Sequence, residues 1–180
     1  MDEPMRGRDK MRDFIEVFEN PLKFFRQKRS FSRAFLHFLA AIIIFVALNE
    51  LTIQAGLVAV ERRLQGAEAA AVNILSAVGG YFAITAISFL PLAAMGRKNY
   101  RDFFTVTAYS LTPLVFFWIP HLLPQAIVVI WSVMLMMVGT SHKMKISYRK
   151  SLVPVFAFVA LVVLFSFIFG NYILVPLNRI

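Results

Sequence analysis

The chain contains no cysteine, which excludes disulfides, thiolate metal sites and thiol catalysis. It is also poor in charge. Only 16% of its 180 residues are Asp, Glu, Lys or Arg, against about 25% in a soluble domain. Acids are scarcest, 10 against 19 Lys and Arg. The low hydrophobicity that disorder requires is missing too, because 59% of residues are hydrophobic where a soluble domain has about 45–50%. A water-soluble globule and a disordered chain are both excluded. The formal net charge of +9 raises the question of nucleic acid, but with this hydropathy the expected partner is the lipid bilayer, and no nucleic acid is expected.

A membrane helix needs roughly 20 mostly apolar residues to cross about 30 Å of hydrocarbon. Five stretches are candidates: residues 34–53, 69–95, 103–119, 122–139 and 152–176. The third and fourth are short and bracketed by Pro113, Pro120 and Pro124, so a re-entrant hairpin is the alternative there. The expected fold is an all-α, polytopic membrane protein: a five-helix transmembrane bundle (34–180) behind a basic segment (1–33). The apolar run starts 33 residues in, behind a long charged segment, so the first span is expected to be retained rather than cleaved as a signal peptide. No repeat relates the two halves.

Orientation is read from Lys and Arg. Residues 1–33 hold nine, the loop after the second span three (Arg97, Lys98, Arg101), and the loop after the fourth four (Lys143, Lys145, Arg149, Lys150). That places sixteen on one side against Arg62, Arg63 and Arg179 on the other. The amino terminus is expected in the cytoplasm and the carboxyl terminus outside, in a cell membrane, or in an endomembrane such as ER or Golgi if the source is eukaryotic.

Within residues 1–33, Met11, Phe14, Ile15 and Phe18 recur at helical spacing among Lys10, Arg12, Asp13, Glu16 and Glu19, the pattern of an amphipathic helix. Asn20-Pro21 suits an N-cap followed by a first helical residue. A second helix is expected to run from there into the first span. Phe14, Phe18, Phe24 and Phe25, with Lys23, Arg26, Lys28 and Arg29, form the candidate interface. They suit anionic headgroups, at about 1 kcal/mol per near-surface cation. They also suit a plain topology signal or the docking of a cytosolic protein; for the chain as a whole, membrane-protein partners or a second copy of itself are further candidates.

Ionisable groups inside the spans mark function by default, and here they are few. Glu50, beside Asn49, lies near the outer end of the first span; an interfacial Glu and an ion-coupling carboxylate are the two readings. With Asn73 and Asn171 it makes a candidate polar pathway. No second buried acid pairs with it. His37, His121 and His142 have no partner at helical spacing, so no metal site or cofactor is expected. Ser76, Ser88, Ser110, Ser132 and Ser166 lie in spans without a GxSxG or HExxH context, and no enzyme is expected. Gly79 and Gly80, with Ala77, Ala83 and Ala86, invite close helix packing, with Ala108 and Ser110 as a matching surface. Pro113 is expected to kink the third span, with Thr112 and Ser110 satisfying the freed carbonyls.

Three stretches resemble the Yip family (Ypt/Rab-interacting membrane proteins) in its prokaryotic, five-span form. They are NPLKFF at Asn20–Phe25, YRDFFTVTAYSLTPL at Tyr100–Leu114, and the fourth span with its following loop at Ile130–Leu152. In the second, Tyr109, Ser110, Leu111 and Pro113 fit, and Ala108 stands where a Gly is usual. The resemblance covers about residues 15–175. It implies a protein of membrane organisation or trafficking, with no chemistry to transfer. The long amino-terminal region that links eukaryotic members to GTPase machinery has no counterpart in the 33 residues before the first span, so GTPase binding is not expected.

Overall fold

A computed structural model of the chain describes residues 15–27, 30–54, 66–119 and 121–169, and every regular element among them is helical. A turn of helix (α1, residues 15–19) leads into α2 (Pro21–Arg26). The bundle follows as α3 (Phe31–Gln54), α4 (Gly66–Ala94), α5 (Tyr100–Ser110), a 3₁₀ helix (Thr112–Trp118), α6 (Leu122–Met144) and α7 (Tyr148–Phe169). Four of these are long and apolar enough to cross a membrane: Phe31–Thr52, Ile74–Ala94, Leu122–Met144 and Tyr148–Phe165. Their outward faces carry exposed Ile43, Leu75, Leu90, Ile130, Phe156 and Val163, a surface suited to lipid. The chain is a multi-pass membrane protein.

Local sequence explains where these helices stop. Asn20 caps α2, its side chain accepting from Lys23 N–H at 3.1 Å with Pro21 following, as expected from the dipeptide. The single helix expected from there into the first span is instead two. Gln27 turns extended, and Ser30 starts α3 afresh by accepting the Arg33 N–H at 3.2 Å. A serine hydroxyl satisfies one of the donors that a helix start leaves open, so the chain breaks there.

α4 ends in a Schellman turn: Gly96 has φ +77°, and Arg97 N–H reaches the Leu92 carbonyl at 2.9 Å. α6 ends the same way, with Lys145 at φ 51° and Ile146 N–H on the Ser141 carbonyl at 3.1 Å. Arg97 Nη2 then donates to the Lys145 carbonyl at 3.2 Å, so both spans finish at one end of the bundle.

The third expected span is not one continuous helix. α5 runs for 11 residues and the 3₁₀ helix for 7. Pro113 has no N–H to give, and its ring would collide with the carbonyl four residues back. It also biases Thr112 against continuing the α-helix. The Thr112 hydroxyl donates to the Tyr109 carbonyl at 2.6 Å, as expected for that residue, whereas the buried Ser110 hydroxyl has no partner among the described residues, and the break takes the form of a change of helix type. Both pieces pack along α3 and α6, α5 being roughly 16 Å long and the 3₁₀ helix roughly 14 Å. Residues Phe103 to Ser110 are all buried, packed mainly by α3 and α6.

Bilayer tails are as apolar as the side chains, so such bundles are held by close packing and internal hydrogen bonds. Aromatic rings supply much of the packing. Phe38 stacks on Tyr81 at 3.9 Å, Tyr81 meets Phe104 at 5.2 Å, and Phe82 stacks on Phe104 at 5.3 Å. The Tyr81 hydroxyl contacts Thr107 Oγ1 at 2.6 Å and donates to the Phe104 carbonyl at 3.2 Å, tying α4 to α5. The small pair on α4 divides. Gly80 is the close-packing position, where a Cβ would sit 2.6 Å from the Phe165 ring of α7, while nothing lies within 4 Å at Gly79. Its partner is therefore α7, not the Ala108–Ser110 surface.

Candidate functional site

The amino-terminal segment and the broken helix meet. Phe24 and Phe25, expected at a headgroup or partner surface, are core residues, 0% and 2% exposed. Phe24 lies edge-on to Tyr109 at 4.7 Å and to Phe25 at 5.3 Å. Phe25 enters a gap at Gly139 of α6, where a Cβ would come within 3.1 Å of the ring and 2.6 Å of Val106. The reason is positional. Asn20-Pro21 and Gln27 confine α2 to six residues, and the glycine on α6 leaves room for the Phe25 ring. Val17 of α1 is buried with them, and Phe18 reaches Phe116 of the 3₁₀ helix at 6.4 Å.

Polar contacts close this niche. Lys143 Nζ donates to the Gln27 carbonyl at 2.6 Å, and the Gln27 amide donates to Glu16 Oε1 at 3.0 Å. On the inner side the His37 ring of α3 lies tilted against Tyr109 at 4.6 Å and meets Thr112 Oγ1 at 2.8 Å. The Thr112 hydroxyl has one hydrogen, given to the Tyr109 carbonyl, so its oxygen accepts from His37 Nε2–H. Buried hydroxyls lie along the broken segment at Thr105, Thr107, Ser110 and Thr112, and on α6 at Ser132 and Thr140. At the mouth of α5, burial pushes the Tyr100 phenol above its usual value.

Of the other expected residues, Lys23 and Arg26 are exposed on α2, Tyr109 and Pro113 are buried at the break, and Glu50 is half-buried in the far part of α3. Asn73 falls in α4, with its side chain, like all of Phe14, Lys28, Arg29 and Asn171, outside the described residues. Glu50 and the niche therefore lie apart. Among the described residues no group of three or more His, Asp or Glu is placed to hold a metal. His37, Thr112, Gly139 and Lys143 were not expected at the site. His37 and Thr112 are 75 positions apart, and no local pattern announces such a pair. Gly139, beside Thr140-Ser141 in an otherwise bulky span, is the one signal that marks a close approach.

Cations gather where α4 and α6 end. Arg97, Lys98, Arg101, Lys143, Lys145, Arg149 and Lys150 lie on or beside the joined loops, and the Lys143–Gln27 bond brings α2 with Lys23 and Arg26 to the same end. At the other end, residues 49–54, 66–76 and 117–126 include no Lys or Arg among the described residues.

No curated protein and no solved structure shows significant similarity to the chain. The family model of the Yip1 domain matches residues 15–170, a range that takes in α1, the α2 niche, the broken helix and all four long spans. On that match the chain belongs to the Yip1 domain family.

Proposed function

We propose that this protein is a non-enzymatic, five-pass member of its family that organises or shapes the membrane around it, or recruits partners, through a basic cytoplasmic face. The amino terminus is cytoplasmic, the carboxyl terminus lies outside, and a cell membrane is the site. The observation that carries this reading is the segregation of charge: the cations of α2 and of both loops share one end, as cytoplasmic ends do. Lys23 and Arg26 remain exposed while the rings beside them are buried, so α2 is anchored by Phe24 and Phe25 and presents its charge.

Cross-linked co-purification from native membranes tests this. The parent is expected to bring down a defined set of membrane partners or further copies of itself. Lys23→Gln with Arg26→Gln is expected to reduce that set with no loss of folded protein. An unchanged set in the double variant contradicts recruitment through α2.

A second reading is favoured by the broken crossing helix at Thr112-Pro113, with His37 hydrogen-bonded beside buried hydroxyls. Discontinuous helices at mid-membrane are the usual seat of transported solutes. Flux of ions, small solutes or lipid in proteoliposomes, lowered by His37→Gln, would favour transport; no flux in either protein would contradict it.

A further inference from the structure

Residues 95–99 follow α4 and residues 145–147 follow α6, and the Arg97–Lys145 carbonyl bond holds the two loops against each other. Between them opens a cleft of about 230 Å³ lined by Arg97, Lys98, Lys143 and Lys145, with Asn99 and Asp102 on its α5 side. Asp102 is held by the Asn99 amide at 2.6 Å, and Lys143 Nζ is turned to the Gln27 carbonyl. Four cations against one carboxylate leave three net positive charges around a small open space. Lys98 and Lys145 are exposed.

The cleft sits where the spans Ile74–Ala94 and Leu122–Met144 end and Tyr148–Phe165 begins. The adjoining spans and their ends carry exposed apolar side chains: Met95 is 42% exposed, Leu90 62% and Val153 48%. Cations at the ends of spans with exposed apolar side chains match a molecule with an anionic head and apolar tails. A free anion would use the cations and leave the apolar wall unused. We propose that this cleft binds the phosphate-bearing headgroup of an anionic phospholipid, with its acyl chains lying along the Leu90, Met95 and Val153 surface. Arg97 and the lysines supply charge-assisted hydrogen bonds to phosphate oxygens, the mode of basic pockets between membrane helices.

This inference deepens the proposed basic face, and the test separates the two. Full-length protein in a neutral detergent is titrated with short-chain phosphatidic acid, short-chain phosphatidylcholine and inorganic phosphate, with binding read by calorimetry and thermal shift. Phosphatidic acid is expected to bind and stabilise the parent, and the other two to do so far more weakly. Lys98→Gln with Lys145→Gln, which leaves the Arg97 side chain and the Lys145 carbonyl in place, is expected to weaken phosphatidic acid about 30-fold. Lys23→Gln with Arg26→Gln is expected to leave it unchanged.

Equal loss in both double variants would overturn the cleft while keeping a diffuse basic face. Inorganic phosphate binding as tightly as the lipid would overturn the lipid assignment. No preference of the parent for phosphatidic acid over phosphatidylcholine would overturn the cleft and leave recruitment to the co-purification result.

Discussion

Phe24→Ala combined with Phe25→Ala is expected to lower the thermal midpoint of the purified protein by roughly 10–20 °C. Each ring is at most 2% exposed, and truncating a buried Phe costs about 3–5 kcal/mol. The rings touch at 5.3 Å, so their costs do not simply add, and the pair together is expected to lose about 5 kcal/mol. Tyr109 loses its edge-on partner in the same step. Leu22→Ala on the same short helix is the control, since Leu22 is 43% exposed and its truncation leaves no cavity. Thermal unfolding in neutral detergent reads both. A double variant melting with the parent would mean that α2 does not lie in the core.

Gly139→Val approaches the same contact from the other side. A Cβ at Gly139 would already sit 2.6 Å from Val106 and 3.1 Å from the Phe25 ring, and valine adds two methyl groups to that space. Both neighbours are buried and neither lies at the tip of a long flexible chain. Overpacking of this kind costs about 1–3 kcal/mol, expected as a fall of roughly 2–12 °C in the midpoint. Gly79→Ala provides the contrast. Nothing lies within 4 Å of its Cβ position, and alanine favours a helix by about 1 kcal/mol over glycine, so this change is expected to be neutral or mildly stabilising. Equal effects at Gly79 and Gly139 would contradict the fit of Phe25 between α5 and α6.

Much of the bundle was legible because span length and hydropathy are local properties. α3, α4, α6 and α7 fall where the apolar runs lie, and the Asn20-Pro21 start of α2 and the Thr112 hydroxyl bond follow from residue chemistry alone. What local pattern did not carry was which apolar residues face protein. Phe24 and Phe25 among Lys23 and Arg26 read as an interfacial stripe, because a ring that enters lipid and a ring that enters a core leave the same periodicity. Only the gap at Gly139, more than a hundred positions away, decides between them. Pro113 was recognisable as a disruption. Its outcome, an α-helix passing into a 3₁₀ helix, depends on α3 and α6 enclosing Phe103–Ser110, so that the helix can be interrupted without exposing its backbone to lipid. The contact between the loops at Arg97 and Lys145 was likewise invisible in a linear reading, although both loops stood out by charge.

The absence of native cysteine makes one measurement especially direct. Single cysteines placed by Leu22→Cys, Lys23→Cys, Phe24→Cys, Phe25→Cys and Arg26→Cys can be labelled one at a time, in sealed membranes of either orientation, with an impermeant maleimide. Fast labelling is expected at 22, 23 and 26 from the cytoplasmic side, with 24 and 25 protected until the protein is unfolded. Equal labelling at all five positions, or labelling from the opposite side, would contradict an α2 that is anchored in the bundle and presents its charge to the cytoplasm.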